Sequence, residues 1–308
     1  MKLLSLKCIG NQANHNALTD LIDYNKTFLC CFREGEFHAG GKNGKIRILC
    51  SKNGLKWNEA ALLNKKGIDL RDPMLSQMPD GSLMLNMGGS TYKGDKLITY
   101  SPHVAFSNNG LEWSSVVDLK MNREWIWRVT WHNGIGYGVS YHIPAIKNKK
   151  KPWLLKLFKT TNGIDYTLVK QLDISCHPSE VTLRFLPDGT MIALVRRHGN
   201  AWIGHSQAPY TQWNWFKSQY RLGGPNFIIL PNGKMWAAAR YFEREGGKRK
   251  ARTALYKMGS STLEPVLIFP SDGDTSYPGI VHRGDKLYIS YYSSHETKTK
   301  VYFATLKL

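Results

Sequence analysis

The chain has 308 residues and a formal net charge of +19, from 42 Lys and Arg against 23 Asp and Glu. Its content of 42% hydrophobic and 12% aromatic residues excludes a disordered chain, a collagen-like repeat and a bundle of membrane helices. The positive surplus suits an acidic partner without saying whether that is nucleic acid, a membrane surface or an acidic sugar. In chain order, Met1-Lys2-Leu3-Leu4-Ser5-Leu6-Lys7 is charged again too soon for a secretory core, and no apolar run reaches the ~20 residues of a spanning helix. The default compartment is therefore cytoplasmic, with export by a route lacking a cleavable signal left open. Cys8, Cys30, Cys31, Cys50 and Cys176 follow no metal spacing and read as reduced packing residues.

Six times an apolar run meets a tight-turn signal and then a second apolar run. The turns fall at Asn25-Lys26, Asp80-Gly81, Asn133-Gly134, Asp188-Gly189, Asn232-Gly233 and Gly284-Asp285. Asn-Gly and Asp-Gly tolerate the positive φ that a tight hairpin requires. Equivalent turn residues Lys26, Gly81, Gly134, Gly189, Gly233 and Asp285 are separated by 55, 53, 55, 44 and 52 residues, one four-stranded blade per interval. A second repeat runs in phase: Ser51-Lys52-Asn53-Gly54-Leu55-Lys56-Trp57, Ser107-Asn108-Asn109-Gly110-Leu111-Glu112-Trp113 and Thr160-Thr161-Asn162-Gly163-Ile164-Asp165-Tyr166. Each lies where the outer hairpin of a blade should turn, with hydroxyl and amide groups tying the backbone and the ring packing between blades. After the last hairpin only Val301–Lys307 remains to form a strand, so Lys2–Cys8 should complete the sixth blade. The prediction is an all-β, six-bladed β-propeller over residues 1–308 as one domain, closed by strands from both ends and expected to be a monomer.

This geometry filters the polar residues. The starts of the first strands and the ends of the second strands converge on a central funnel, away from the inner hairpin turns. The first set is His15, Arg71, Asp72, Arg128, Glu180, Arg221, Asn226 and Tyr277; the second is Arg33, Gly88, Tyr141, Arg196, Arg240 and Tyr292. Arginines gathered in one funnel repel one another unless an anion binds among them, and Arg suits a bidentate grip on a carboxylate. The competing reading pairs each Arg with a neighbouring carboxylate, such as Glu34, Asp72, Glu180 or Glu243, as a brace between blades.

With its propeller period and outer-turn motifs, the sequence resembles the sialidase (neuraminidase) superfamily. The likeness is stronger in the last three blades. Asp272-Gly273-Asp274-Thr275-Ser276-Tyr277-Pro278-Gly279-Ile280-Val281, followed by Gly284-Asp285-Lys286-Leu287-Tyr288-Ile289-Ser290-Tyr291-Tyr292, is similar to that family's final-blade segment. The resemblance implies Tyr277 as nucleophile, Glu180 as the glutamate that polarises it, and Arg196 and Arg221 as two arginines of a carboxylate-binding triad. A phenol with a pKa of about 10 needs such a base, and a neutral nucleophile avoids repulsion beside an anionic substrate.

Two parts of the family pattern are missing. Asn11–Leu18 carries no arginine where an Arg-Ile-Pro motif is expected, and Phe32–His38 carries no aspartate to serve as acid/base. His38 could supply the acid, with Asp72 or Glu34 as competitors, and Arg33, Arg71 and Arg240 could replace the charge. The reading that follows is an exo-glycosidase acting on a terminal acidic sugar. Its rivals are a uronate lyase using Tyr277 or His38 as base, and a propeller that binds glycan or protein without turnover. Nucleic-acid binding rests only on Lys147-Asn148-Lys149-Lys150-Lys151 and Lys248-Arg249-Lys250-Ala251-Arg252, both read as solvated loops without interleaved aromatics. No cofactor is expected, and no metal: His132, His142, His177, His198, His205, His282 and His295 are scattered without zinc spacing.

Overall fold

A computed structural model of the chain describes residues 1–40, 43–142 and 153–308. The Lys147–Lys151 run lies outside the described residues. Strand β1 (Lys2–Gly10) is followed by the first blade: β2 (His15–Tyr24), β3 (Thr27–Gly35), β4 (Lys45–Ser51) and β5 (Asn58–Leu63). The second holds β6 (Asp69–Gln77), β7 (Leu83–Lys93), β8 (Lys96–Ser107) and β9 (Val117–Asp118), and the third β10 (Trp125–His132), β11 (Ile135–His142), β12 (Leu154–Thr160) and β13 (Thr167–Leu172). The fourth is β14 (Val181–Phe185), β15 (Met191–Val195), β16 (Trp202–Ser206) and β17 (Asn214–Lys217). The fifth is β18 (Gly223–Ile229), β19 (Met235–Glu245), β20 (Lys248–Met258) and β21 (Leu263–Ile268). In the last, β22 (Thr275–Arg283), β23 (Lys286–Ser293) and β24 (Lys300–Lys307) are completed by β1, in the order β1-β24-β23-β22. The ring is a six-bladed β-propeller of antiparallel four-stranded sheets, closed as the termini predict, and the described residues contain no helix. One expectation is corrected: Lys248–Arg252 is not a loop but the start of β20, in a long hairpin with β19.

The turns carry the backbone geometry their residues allow. Asn25 and Lys26 have φ of 49° and 61°, and Asn133 and Gly134 have 48° and 79°. At the outer turns, the amides of Gly54, Gly110 and Gly163 donate to the hydroxyls of Ser51, Ser107 and Thr160 at 2.9, 2.8 and 2.9 Å. These three glycines also sit against Phe303, Leu29 and Met84 of an adjoining blade, each within 2.6 Å of where a Cβ would stand. The motif thus locks blade to blade. A fourth copy escaped the pattern: Tyr210, at φ 65°, stands where the others have glycine, and Trp213 Nε1 donates to its carbonyl at 3.1 Å.

The inner strands share a further feature. In β2, β6, β10, β18 and β22 the pairing register shifts at one place, between Ala17 and Asp20, Arg71 and Met74, Ile126 and Val129, Gly223 and Asn226, and Ser276 and Gly279. A bulge re-aims the side chains beside it. Leu18, Asp72, Gly224 and Tyr277, with φ of 62°, 48°, 55° and 52°, are the left-handed residues of four of these bulges. Asp72, Gly224 and Tyr277 each precede a proline, which has no amide hydrogen to lose from the ladder.

Candidate functional site

The bulge in β22 turns the Tyr277 side chain into the funnel, where its hydroxyl donates to Glu180 Oε1 at 2.8 Å. Glu180 stands at the head of β14 and is 4% exposed. Its carboxylate also accepts from Arg196 Nη1 at 2.5 and 2.7 Å and from the Gly224 amide at 3.0 Å. Arg196 Nη1 lies 3.1 Å from the Tyr277 hydroxyl. Burial alone would raise the Glu180 pKa, but the Arg196 charge and these hydrogen bonds hold it below the ordinary value. Burial, reinforced by Glu180, pushes the Tyr277 phenol well above its usual range, so the resting pair is a neutral phenol donating to a carboxylate. The Tyr277 ring meets Trp127 edge-on at 5.5 Å and has the Arg240 guanidinium 5.7 Å from its centroid. Gly224 leaves the ring room: a Cβ there would stand 2.7 Å from it.

Asp72, in the equivalent bulge of β6, is 7% exposed. Burial lifts its pKa to about 6, with Arg71 opposing and Glu180 adding to the rise. Arg71 beside it has no hydrogen bond and no ion pair within 4.0 Å among the described residues, and its Nε is buried and unpartnered. Burial would lower the Arg71 pKa, but Asp72 and Asp69 carry it above the ordinary value, so it stays cationic.

Asp274 organises the wall beside Tyr277, Arg240 and Tyr292. Its Oδ1 accepts from Arg240 Nη2 at 3.1 Å and the Tyr292 hydroxyl at 2.7 Å, while Oδ2 meets His15 Nε2 at 3.1 Å and His38 Nδ1 at 2.7 Å. Burial opposes its ionisation, yet these hydrogen bonds hold Asp274 far below the usual carboxylate range. Burial lowers the His15 pKa against the pull of Asp274, keeping its imidazole neutral at pH 7. Sequence reasoning missed Asp274, and with it a donor set: one atom each from His15, His38 and Asp274 lie within 4.8 Å of one another and could hold a metal ion. The three come from the head of β2, the loop after β3 and the loop before β22. The spacing test that argued against metal could not see such a set, and it left out His15 and His38.

The predicted residues divide. Tyr277, Glu180, Arg196, Arg240, Asp72 and Arg71 gather at the funnel, with Tyr141 buried close enough that Asp72, Glu180 and Tyr277 all raise its phenol pKa beyond the effect of burial. Three arginines are placed otherwise. Arg33 is wholly buried, bonded through Nε to Asp69 Oδ1 at 2.8 Å and through Nη1 to the Phe37 carbonyl at 2.7 Å, a brace rather than a substrate contact. Arg128 clamps Asp20 with bonds of 2.7 and 2.9 Å, deeper in the channel. Arg221 sits in the loop before β18, its guanidinium 5.2 Å from the Phe242 ring at the rim, while Arg240 takes the place beside Tyr277. Glu34, the other acid competitor, is bound by Arg47 at 2.7 and 3.0 Å. The bracing alternative thus describes the main contacts of Arg33 and Arg128, and those of Arg196 and Arg240 in part.

No family model and no curated protein matches the sequence. Among solved structures, a protein of unknown function from Dyadobacter fermentans has a TM-score of 0.83 at 16% identity, over 100% of this chain and 99% of that one. The sialidase of Trypanosoma rangeli has a TM-score of 0.72 at 12% identity, over 99% of this chain and 58% of that one, so the chain spans little more than half its length. NanB sialidase from Streptococcus pneumoniae has 0.69 at 11% identity, over 100% and 70%. No described helix is long and apolar enough to cross a membrane. At these identities the likeness is one of fold: the chain has the six-bladed β-propeller fold that these sialidases share.

Proposed function

We propose that the chain is a retaining glycoside hydrolase that removes a terminal acidic sugar, sialic acid or another carboxylated residue. The observation that carries this is the Tyr277–Glu180 hydrogen bond of 2.8 Å beside Asp72, whose pKa of about 6 lets it hold a proton at the start of a turnover. The Tyr277 oxygen attacks the anomeric carbon as its proton passes to Glu180 Oε1, and Asp72 protonates the departing glycosidic oxygen. Asp72, now a carboxylate, takes a proton from water; that water attacks the anomeric carbon, and Tyr277 leaves and recovers its proton from Glu180. Arg196 Nη1, 3.1 Å from the phenol oxygen, stabilises the negative charge that develops there. The uncommitted Arg71 guanidinium, with Arg240 and Arg196, supplies the positive field for the substrate carboxylate.

The test is release of free sugar from a labelled sialylated or uronate-terminated glycan, abolished in Tyr277→Phe. An unsaturated, ultraviolet-absorbing product would instead mark the lyase. One observation favours binding without turnover: Phe32–His38 holds no aspartate to serve as acid/base. Under that reading glycan binds with unchanged affinity in Tyr277→Phe and no sugar is released by either protein.

A further inference from the structure

A second opening lies at the other end of the central channel. Tyr277, Glu180 and Asp72 stand at the heads of inner strands, whereas this cavity is lined by residues shortly before the inner hairpin turns, including Gln77, Thr130 and Arg184. It has a volume of about 240 Å³. Arg128 and Arg184 both reach it, and the charge between them does not balance. Asp20 gives both its oxygens to Arg128, at 2.7 and 2.9 Å. Arg184 bonds only to neutral acceptors: Nη1 to Thr130 Oγ1 at 3.1 Å and the Leu183 carbonyl at 2.7 Å, Nη2 to Asn226 Oδ1 at 3.0 Å. Among the described residues no carboxylate lies within 4.0 Å of it. Three of the five N–H donors of the guanidinium are used, and two remain. Arg128 Nε is likewise buried without a partner.

A guanidinium partly withdrawn from water without a carboxylate partner is costly, and a counter-ion or a conversion to the neutral form would relieve it. The second route is closed at neutral pH: burial, then the Arg128 charge, lowers the Arg184 pKa against Asp20 only to about 9. We propose that this turn-side end of the channel binds a small oxyanion of phosphate size, held by the spare donors of Arg184. The size and the surrounding donors favour an oxyanion over a halide, because Gln77 and Ser76 line the same space with further polar groups. The site is separate from the Tyr277 end and does not depend on the reading given for it.

The experiment is thermal melting of the full chain against inorganic phosphate at constant ionic strength, in the parent, Arg184→Met, Arg184→Lys and Arg71→Met proteins. The melting temperature should rise with phosphate in the parent and in Arg71→Met, whose change lies at the opposite end. In Arg184→Met the response should weaken by about tenfold or more in phosphate concentration, the worth of one charge-assisted hydrogen bond. Arg184→Lys, which keeps the charge but not the fork, should fall between the two and serves as the decisive variant should Arg184→Met not fold. No phosphate response in the parent, or a response unchanged in the Arg184 variants, would overturn the proposal.

Discussion

Asp72 should destabilise the folded protein at neutral pH, and removing its charge should reveal by how much. Burial lifts its pKa from 3.8 to about 6. A rise of about two units corresponds to ~3 kcal/mol between the two protonation states. The folded state binds this proton more tightly than the unfolded chain. The stabilisation from protonated Asp72 is therefore fully present below pH ~4 and lost as pH rises through about 6. Asp72→Asn imitates the protonated acid at every pH. At pH 4 the variant and parent should melt together; at pH 8 the variant should be more stable by about 3 kcal/mol. Unfolding entropy of ~2 cal/mol/K per residue turns that into about 5 °C for a chain of this length. The assay is the difference in melting temperature between variant and parent at the two pH values, which cancels every other titrating group. A variant less stable than the parent at pH 8 would mean that Arg71 holds Asp72 as an ion pair, and the acid assignment would fail. The same titration predicts that hydrolysis falls as pH rises through about 6, while Asp72→Asn loses turnover despite its gain in stability.

Other changes separate bracing residues from site residues. Arg33→Met leaves Asp69 buried without its cation and should cost ~3–5 kcal/mol in denaturant unfolding. Arg71→Met, by contrast, should shift stability by less than ~1 kcal/mol yet raise KM for a carboxylated substrate by about 10- to 100-fold, seen in steady-state kinetics. Gly224→Ala places a methyl 2.7 Å from the Tyr277 ring on a residue at φ 55°. It should destabilise by ~1–2 kcal/mol from the backbone term alone and lower kcat by moving the phenol off Glu180.

The fold was legible because tight-turn dipeptides are local chemistry repeated at a regular interval, and each inner hairpin forms at the turn its residues allow. Glu180, Arg196 and Tyr277 could be found because strand phase, together with a family likeness, puts them at the same end of the ring. The partners of the arginines were not legible. Whether Arg33 faces substrate or Asp69 depends on contacts across a blade boundary, and on Asp69 Oδ1 also accepting from the Gly44 amide. Asp274 lies on a loop far in sequence from His15 and His38, so no spacing rule links them. Arg221 was expected in a carboxylate triad and Arg240 only as a replacement for missing charge, yet Arg221, in the loop before β18, lies against Phe242 while Arg240, on β19, lies over the Tyr277 ring. One signal was present but unread: Asp72, Gly224 and Tyr277 each precede a proline at the same depth of an inner strand, marking the bulges that aim two of them into the funnel.

The central claim is that Tyr277 is the nucleophile, and trapping tests it most directly. The protein would be incubated with a 2,3-difluoro derivative of sialic acid, on which the glycosyl–enzyme bond forms faster than it breaks, and then digested for mass spectrometry. The account predicts one glycosyl adduct, on the peptide containing Tyr277, absent from Tyr277→Phe and from Glu180→Gln. Substrate turnover with no adduct on Tyr277, or an adduct on another side chain, would contradict it.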